Sequence, residues 1–373
     1  MQKANQENWW SVENVDEVDS PALLVYPDRA EQNLKRMVEI AGGTERLRPH
    51  VKTHKLPPLV KMHVEKGITR FKCATIPEAE IVAESGATDV LLAHQLVGPK
   101  VRRLAALAAA YPQVRFSTIV DDTGVLERLA AAAEAERISL EVLLDVDCGM
   151  HRTGIAPGPQ AIALYRRIAK LNRVKPGGLH AYDGHITDRD LSQRKEAAHR
   201  ALRPVMELRD ALVAEGLSVP RIVAGGTPTF AIHAQTQEFE CSPGTCVLWD
   251  AGYATKLPDM DFVPAMLVVT RVISKAGSGR LCLDLGHKAI ASENPHPRVQ
   301  FLNAPEAKAV MHSEEHLVIE TPNADQFAVG DCLYGMPWHV CPTVSLHSVA
   351  VVVRNRRATE RWQVTARERQ IRF

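Results

Sequence analysis

The 373-residue sequence lacks an excess of charge of either sign, because 45 Lys and Arg residues are balanced by 44 Asp and Glu residues. A net charge of +1 gives no electrostatic reason to expect a nucleic-acid surface or an anionic-membrane surface. The sequence also has no uncharged apolar run long enough to span a membrane, and its first ten residues lack the apolar stretch of a signal peptide. We therefore expect a cytoplasmic protein that acts on a small molecule and binds neither nucleic acid nor a membrane.

The seven cysteines include no CxxC pair, and their number is odd. This pattern favours reduced thiols over a disulfide framework and leaves at least one thiol for metal or redox chemistry. The sequence contains neither a GxGxxG nor a GxxxxGK[ST] element, so a Rossmann or P-loop nucleotide site lacks its fingerprint.

Between about residues 45 and 250, short apolar runs that end in polar residues alternate with stretches of helical period. Eight such runs predict a (β/α)8 barrel, with a doubly wound open sheet as the main alternative. The predicted strands are residues 47–52, 70–75, 89–95, 115–121, 140–147, 178–183, 221–226 and 246–250. After about residue 252 the runs are short, strand-like and separated by turn residues, which predicts a C-terminal all-β domain. We expect the barrel to span 27–251 and the β domain to consist of 1–26 together with 252–373. The predicted strand at 22–26 could then pair with strands of the β domain.

In a barrel the active site lies at the carboxyl ends of the strands, where Lys52 closes the first predicted run. On a strand its side chain would share a face with those of His50 and His54. Removing an amine from water favours its neutral, nucleophilic form, which makes Lys52 a catalytic candidate. A solvated lysine at a strand end is the equally weighted alternative.

Two glycine-containing turns follow the later strands. Gly225 and Gly226 allow backbone N–H groups to approach an anion, Thr227 adds a hydroxyl, and Gly244 with Thr245 forms a second small turn. The loops after strands seven and eight of a barrel commonly bind phosphate, although tight turns also require glycine.

Acid–base groups follow two neighbouring predicted strands. Asp145, Asp147 and Arg152 come after one strand, and Tyr182, Asp183 and His185 come after the next. They could face a cofactor or a carboxylate, although any one of them alone is more simply explained as a hydrogen-bonded loop residue.

His339 and Cys341 are alternate residues late in the β domain and would share one face of an extended segment. An imidazole together with a thiolate suits zinc. By itself, this pair is better explained by ordinary core residues.

Five motifs together resemble, in their order along the chain, the D-threonine aldolase and D-serine dehydratase family of fold-type III pyridoxal 5'-phosphate (PLP) enzymes. They are RPHVKTHK at 48–55, DCGMHRTG at 147–154, GGTPT at 225–229, EEH at 314–316 and HVCPT at 339–343. The resemblance implies an alanine-racemase-like barrel, a C-terminal β domain, a D-amino acid substrate and a homodimer. It implies that Lys52 holds PLP as an internal Schiff base and that His339 and Cys341 bind a divalent metal, zinc first, with manganese or magnesium as alternatives. The cofactor-binding residues that it implies are Lys52, His50, Arg152, Tyr182, Gly225, Gly226, Thr227, Gly244 and Thr245.

The resemblance implies a lyase of D-3-hydroxy amino acids and leaves two reactions open. Dehydratases of the family have HxC, whereas the aldolases have HxD and a histidine at the position of Asp183. Cys341 therefore favours dehydration to a keto acid and ammonia, with Lys52 as the base at Cα. An ionisable Asp183 keeps open an aldolase that releases glycine and an aldehyde. A metal-free PLP racemase, and a barrel enzyme that uses Lys52 directly on its substrate, are less favoured alternatives.

Overall fold

The computed structural model of the protein describes residues 8–275 and 277–373, which form two compact units. The barrel unit comprises Lys35–Lys52, Leu56–Gly244 and Thr365–Phe373. The sheet unit comprises Thr53–Lys55, Thr245–Val364 and the described part of Met1–Leu34. Domain boundaries at residues 27 and 251 stay a prediction, and residues 1–7 of the predicted N-terminal segment lie outside the described residues.

Strands and helices are numbered in chain order. The strands are β1 Ala22–Val25, β2 Arg70–Cys73, β3 Asp89–Leu92, β4 Arg115–Val120, β5 Leu140–Val146, β6 Val174–Ala181, β7 Ile222–Ala224, β8 Phe239–Cys241, β9 Met266–Ser274, β10 Arg280–Leu283, β11 Val299–Phe301, β12 Lys308–His312, β13 Leu317–Glu320, β14 Cys332–Pro337, β15 Val349–Arg354 and β16 Arg357–Gln363. The helices are α1 Pro27–Ala41, α2 Pro57–Glu65, α3 Ile76–Glu84, α4 Lys100–Ala110, α5 Thr123–Ala135, α6 Pro159–Lys170, α7 Leu191–Ala214, α8 Phe230–His233, α9 Ala251–Lys256 and α10 Val340–Leu346.

The barrel unit is built on a seven-stranded parallel sheet in which β2 to β8 follow one another in chain order. Isolated parallel bridges join Leu47 to Cys241 in β8 and His50 to Lys72 in β2, so residues 47–50 occupy the remaining position of the barrel. This parallel sheet, with a mostly antiparallel sheet in the other unit, confirms the predicted fold class.

Successive side chains of each barrel strand point alternately into the barrel and toward the helices. Leu91, Ile119, Leu143 and Val223 form a small buried cluster of their own, separate from the residues that pack on the helices. Residues two positions earlier on several of these strands are charged, as expected when successive inward residues alternate along a strand. The interior therefore changes from ionic at the strand starts to apolar in the middle.

The ionic layer, which we call the barrel floor, is centred on Arg48. Its side chain is 0% exposed, and its guanidinium lies 2.7 Å from carboxylate oxygens of both Asp89 and Glu240. Glu240 also pairs with Arg70 at 3.1 Å, and Arg115 donates to Asp89. Glu141 and Arg221 complete the floor.

One predicted strand is wrong. Residues 246–250 do not form the last barrel strand, because Thr245–Val247 is a turn of 3-10 helix and β8 is Phe239–Cys241. The middle residue of β8 is Glu240, which pairs with Arg48 inside the barrel. An acidic residue at the centre of a three-residue strand hides the apolar run that would otherwise reveal it.

The sheet unit is a mostly antiparallel nine-stranded sheet with the order β12-β13-β10-β9-β1-β15-β16 and with β14 between β9 and β11. β1 lies inside this sheet, antiparallel to β9 and parallel to β15. The N-terminal strand therefore pairs with the C-terminal strands. Across the described residues, every helix is too short or too polar to cross a membrane.

Candidate active site

Lys52 lies in a single turn of 3-10 helix, Val51–Thr53, directly after the barrel residues 47–50. Its backbone N–H donates to His50 Nδ1 at 3.3 Å. The chain therefore leaves the extended conformation before Lys52, and the prediction that His50, Lys52 and His54 share one strand face is wrong. His54 belongs to the sheet unit, whereas His50 and Lys52 belong to the barrel unit.

The ring of Tyr182, just after β6, lies near three basic side chains. The Arg152 guanidinium carbon lies 4.9 Å from the ring centre, Lys72 Nζ 5.6 Å and Lys52 Nζ 5.8 Å. Three basic side chains around one ring favour an anionic ligand in this part of the barrel. Lys52, Arg152 and Tyr182 were predicted to lie together, whereas Lys72 was not.

The two glycine turns are joined by a hydrogen bond, because the Gly244 N–H donates to Thr227 Oγ1 at 3.2 Å. Gly225 has φ +75°, and a Cβ there would lie 2.6 Å from His233 Cδ2. Both the backbone conformation and this close contact require glycine. The structure therefore brings together four of the five predicted phosphate-binding residues in one unit. The fifth, Thr245, is in the sheet unit, with its hydroxyl 3.7 Å from Cys341 Sγ.

Asp183 is buried beneath the turn at 225–229. Its Oδ1 accepts a hydrogen bond from the Thr229 hydroxyl at 2.9 Å, and its Oδ2 lies 2.7 Å from His233 Nε2. The carboxylate side chain is 1% exposed and the imidazole 2%. Both carboxylate oxygens are thus committed to side chains that support the glycine turn.

A second buried carboxylate–imidazole pair lies at the ends of β5 and β6, where His180 Nδ1 is 2.6 Å from Asp145 Oδ1. Burial, and then the positive charge of Lys72, lowers the pKa of His180, whereas the hydrogen bond to Asp145 opposes this. The other ring nitrogen, Nε2, is buried without a hydrogen-bond partner among the described residues. Buried polar atoms normally have a partner, so this nitrogen is available to a bound group.

His339 and Cys341 lie in the sheet unit at the start of α10, where His339 is the residue that precedes the helix. The extended arrangement considered for this pair is therefore wrong, although the two side chains still interact. Burial alone would raise the pKa of Cys341, but the hydrogen bond and positive charge of His339 hold it below its usual value. Burial opposes protonation of His339, whereas Cys341, Glu293 and Asp250 together raise its pKa to about 9. Each side chain therefore favours the charged form of the other.

His339 and Cys341 together have the donor chemistry of a zinc site. His339 Nδ1 lies 2.5 Å from Glu293 Oε1, which leaves Nε2 as the nitrogen for a metal. Metal-binding histidines commonly bond a carboxylate through their other nitrogen, and thiolate is the form of cysteine that binds metals. Among the described residues no group of three His, Cys, Asp or Glu side chains could hold a metal, so this pair would supply two of the four ligands that zinc usually takes.

Comparison with known families matches residues 25–250 to the alanine racemase N-terminal domain. The chain belongs to the alanine racemase N-terminal domain family. A second match, at residues 265–353, is to a putative serine dehydratase domain. The alanine-racemase match covers the strands and turns that carry Lys52, Tyr182 and Gly225, and the second match covers His339 and Cys341.

Relatives of this alanine-racemase-type chain include both aldolases and a dehydratase. It is 28% identical to the D-threonine aldolase of Arthrobacter sp. over 356 residues, which cover 94% of this chain and 93% of that protein. It is 28% identical to the D-threo-3-hydroxyaspartate dehydratase of Delftia sp. strain HT23 over 216 residues, or 57% of this chain and 56% of that protein. Among solved structures, D-threonine aldolase from Filomicrobium marinum matches with a TM-score of 0.88 and 30% identity, over 94% of this chain and 96% of that chain. The predicted resemblance is confirmed.

Several residues of this alanine-racemase-type site were missed by sequence reasoning. The sequence does contain a signal for Lys72. Its neighbours Phe71 and Cys73 are apolar and pack toward the helices, so the side chain of Lys72 between them points to the opposite face, into the barrel. His180 lies within a predicted strand and gave no strand-end signal. His233 and Glu293 lie outside every motif, and their roles depend on contacts with residues 50 and 46 positions away, Asp183 and His339 respectively.

Proposed function

We propose that the protein is a PLP-dependent lyase of D-3-hydroxy amino acids and that its main reaction is dehydration to a keto acid and ammonia. D-Serine, D-threonine and D-3-hydroxyaspartate are the proposed substrates. The D configuration rests on the family relatives. The homodimer and the cytoplasmic location remain predictions.

The barrel unit fits PLP by its own chemistry. Three basic side chains suit a phosphate and a phenolate oxygen, and the unpartnered His180 Nε2 offers a further polar contact. Lys52 would hold the cofactor covalently. The other proposed cofactor-binding residues are His50, Arg152, Tyr182, Gly225, Gly226, Thr227, Gly244 and Thr245.

When bound, PLP withdraws electron density from Cα, and a divalent metal at His339 and Cys341 acts as a Lewis acid on the β-hydroxyl oxygen. We propose zinc for this metal because its donors are an imidazole and a thiolate, with manganese or magnesium as alternatives. Lys52 would hold the cofactor and would also serve as the base that takes the proton from Cα. Arg152 supplies a fixed positive charge for an anionic group of the cofactor or substrate.

Asp183 is the observation that favours dehydration. Retro-aldol cleavage requires a base that removes the proton of the β-hydroxyl, and Asp183 is the residue predicted for this role. Its two oxygens instead accept hydrogen bonds from Thr229 and His233, and its side chain is 1% exposed. A carboxylate in this setting supports the turn at 225–229, so dehydration with Lys52 as the base is better supported.

Aldolase activity is the second candidate, and the extent of similarity favours it. The Arthrobacter D-threonine aldolase is 28% identical over 94% of this chain, whereas the D-serine dehydratase of Dictyostelium discoideum is 21% identical over 92%. Cys341, which matches the dehydratase form of the metal motif, argues in the other direction.

Product analysis separates the two reactions. The enzyme, loaded with PLP and zinc, is incubated with D-threonine, D-serine and D-3-hydroxyaspartate, and with the L enantiomers as controls. We expect keto acid and ammonia from D substrates, loss of both in Lys52→Ala, and retention of the same product type in Asp183→Asn. Glycine and an aldehyde as the only products would replace dehydration by aldol cleavage, and formation of the L amino acid would indicate a racemase.

A further inference from the structure

Lys72 is a buried amine inside the barrel for which the proposed mechanism gives no role. Lys72 lies in β2 and is 3% exposed, and its Nζ is 5.6 Å from the centre of the Tyr182 ring. Its side chain forms no salt bridge with the residues that the structure describes. A lysine so placed, without a carboxylate partner, is costly to keep charged.

The groups that act on Lys72 come from several strands and the loops after them. Positive charge comes from Lys52 and Arg152, and negative charge from Asp145 and Asp183. The rings of Tyr182 and His180 face the same region. Burial, followed by the charge of Lys52, lowers the pKa of Lys72 to about 7. The ammonium form of Lys72 therefore lacks full compensation until further negative charge enters the barrel.

We propose that Lys72 is a second cofactor-facing amine, which takes up a proton from solvent when PLP binds and pairs with an anionic oxygen of the cofactor. This inference rests on the proposed PLP-dependent function. The balance is simple: the Lys72 amine and one proton give an ammonium group, and no covalent bond to carbon forms or breaks. Lys52 keeps the covalent role, so the two lysines differ in what they do.

The coupling has a calculable sign. A bound anion raises the pKa of Lys72 above its value in the empty site, so binding takes up a proton above about pH 7. Affinity for the cofactor then falls by up to about tenfold for each pH unit above about 7, until the pKa of the bound state is reached. Below about pH 6, Lys72 is charged in both the empty and the cofactor-bound protein, so it adds no pH dependence to the cofactor affinity.

The test uses pyridoxamine 5'-phosphate, which has the phosphate and phenol of PLP but forms no bond with Lys52. Isothermal titration calorimetry of the apoenzyme at pH 8, in two buffers of different ionisation enthalpy, counts the protons taken up. The ligand's own ionisations contribute equally to all variants, so differences between variants report Lys72. Lys72→Met is compared with Lys72→Arg and with Lys170→Met, an exposed lysine on α6.

We expect wild type and Lys170→Met to take up close to one proton more than Lys72→Met, which binds at least about tenfold more weakly at pH 7. Lys72→Arg should keep tight binding but lose the extra proton, because its charge is permanent. If Lys72→Met does not fold, the difference between wild type and Lys72→Arg decides. Equal proton uptake in wild type and both Lys72 variants would overturn the inference. Failure of wild type to bind PLP or pyridoxamine phosphate at any pH would instead overturn the proposed function.

Discussion

Replacing Arg48 by methionine should destabilise the barrel unit through its floor. Arg48 is fully buried and contacts Asp89 and Glu240 at 2.7 Å each. Removing one partner of a buried ion pair costs about 3–5 kcal/mol, because the remaining charge is left without compensation. Here each acid retains one arginine, Arg115 or Arg70, so we expect the lower end, about 3 kcal/mol.

For a unit of roughly 200 residues, a loss of 3 kcal/mol lowers Tm by about 6–12 °C, which differential scanning calorimetry measures directly. Arg36→Met is the matched control, because Arg36 pairs with Glu39 on the surface and should cost less than about 0.5 kcal/mol. Adding Glu240→Gln to Arg48→Met should restore part of the loss, since it removes one uncompensated charge. A Tm for Arg48→Met within about 2 °C of wild type would refute this account of the floor.

Three further predictions concern the turn, the metal pair and acid stability. Gly225→Ala should weaken PLP binding by about tenfold or more, because the new Cβ would lie 2.6 Å from His233. Gly216→Ala is the control: Gly216 also has a positive φ, +76°, but open space surrounds it, so PLP binding should be unchanged. Glu293→Gln should reduce metal affinity by about 10–100-fold in a zinc titration, because a neutral amide replaces the carboxylate that bonds His339, and equal affinity in both proteins would exclude this role. Asp89, whose pKa is about 2 because Arg48 and Arg115 outweigh its burial, should contribute about 2 kcal/mol above about pH 4 that is lost as the pH falls toward 2. Asp89→Asn should flatten the dependence of Tm on pH across that window, and an unchanged slope would contradict the assignment.

Much of the barrel is predictable from sequence because its outward-facing strand residues pack on helices and form apolar runs. β3 to β5 begin at the residues predicted for them and end one to three residues earlier. β8 was missed because Glu240, its inward residue, belongs to the ionic floor. The apolar run at 246–250 was taken instead, and short buried runs do not distinguish a strand from a helical turn.

Some residues of the candidate site can be predicted from the sequence and others cannot. Lys52 and the glycine turns are local signals, so motif and spacing were enough to find them. The pairing of Asp183 with His233 depends on contacts 50 residues apart, and the sequence offers no pattern for it. From the sequence, Asp183 is both a candidate base and a possible hydrogen-bonded loop residue, and its contacts with Thr229 and His233 agree with the second.

The position of β1 has a consequence for how the chain is made. Its residues pair with Met266–Val269 on one side and with residues 350–352 on the other. During synthesis, this apolar strand leaves the ribosome on the order of tens of seconds before its last partner exists. Until then Leu23 and Leu24, which are 0% exposed in the finished protein, have no sheet to enter. The nascent chain therefore exposes an apolar, aggregation-prone segment near its N-terminus throughout synthesis of the barrel. We expect the yield of soluble protein to depend on chaperones that bind this segment.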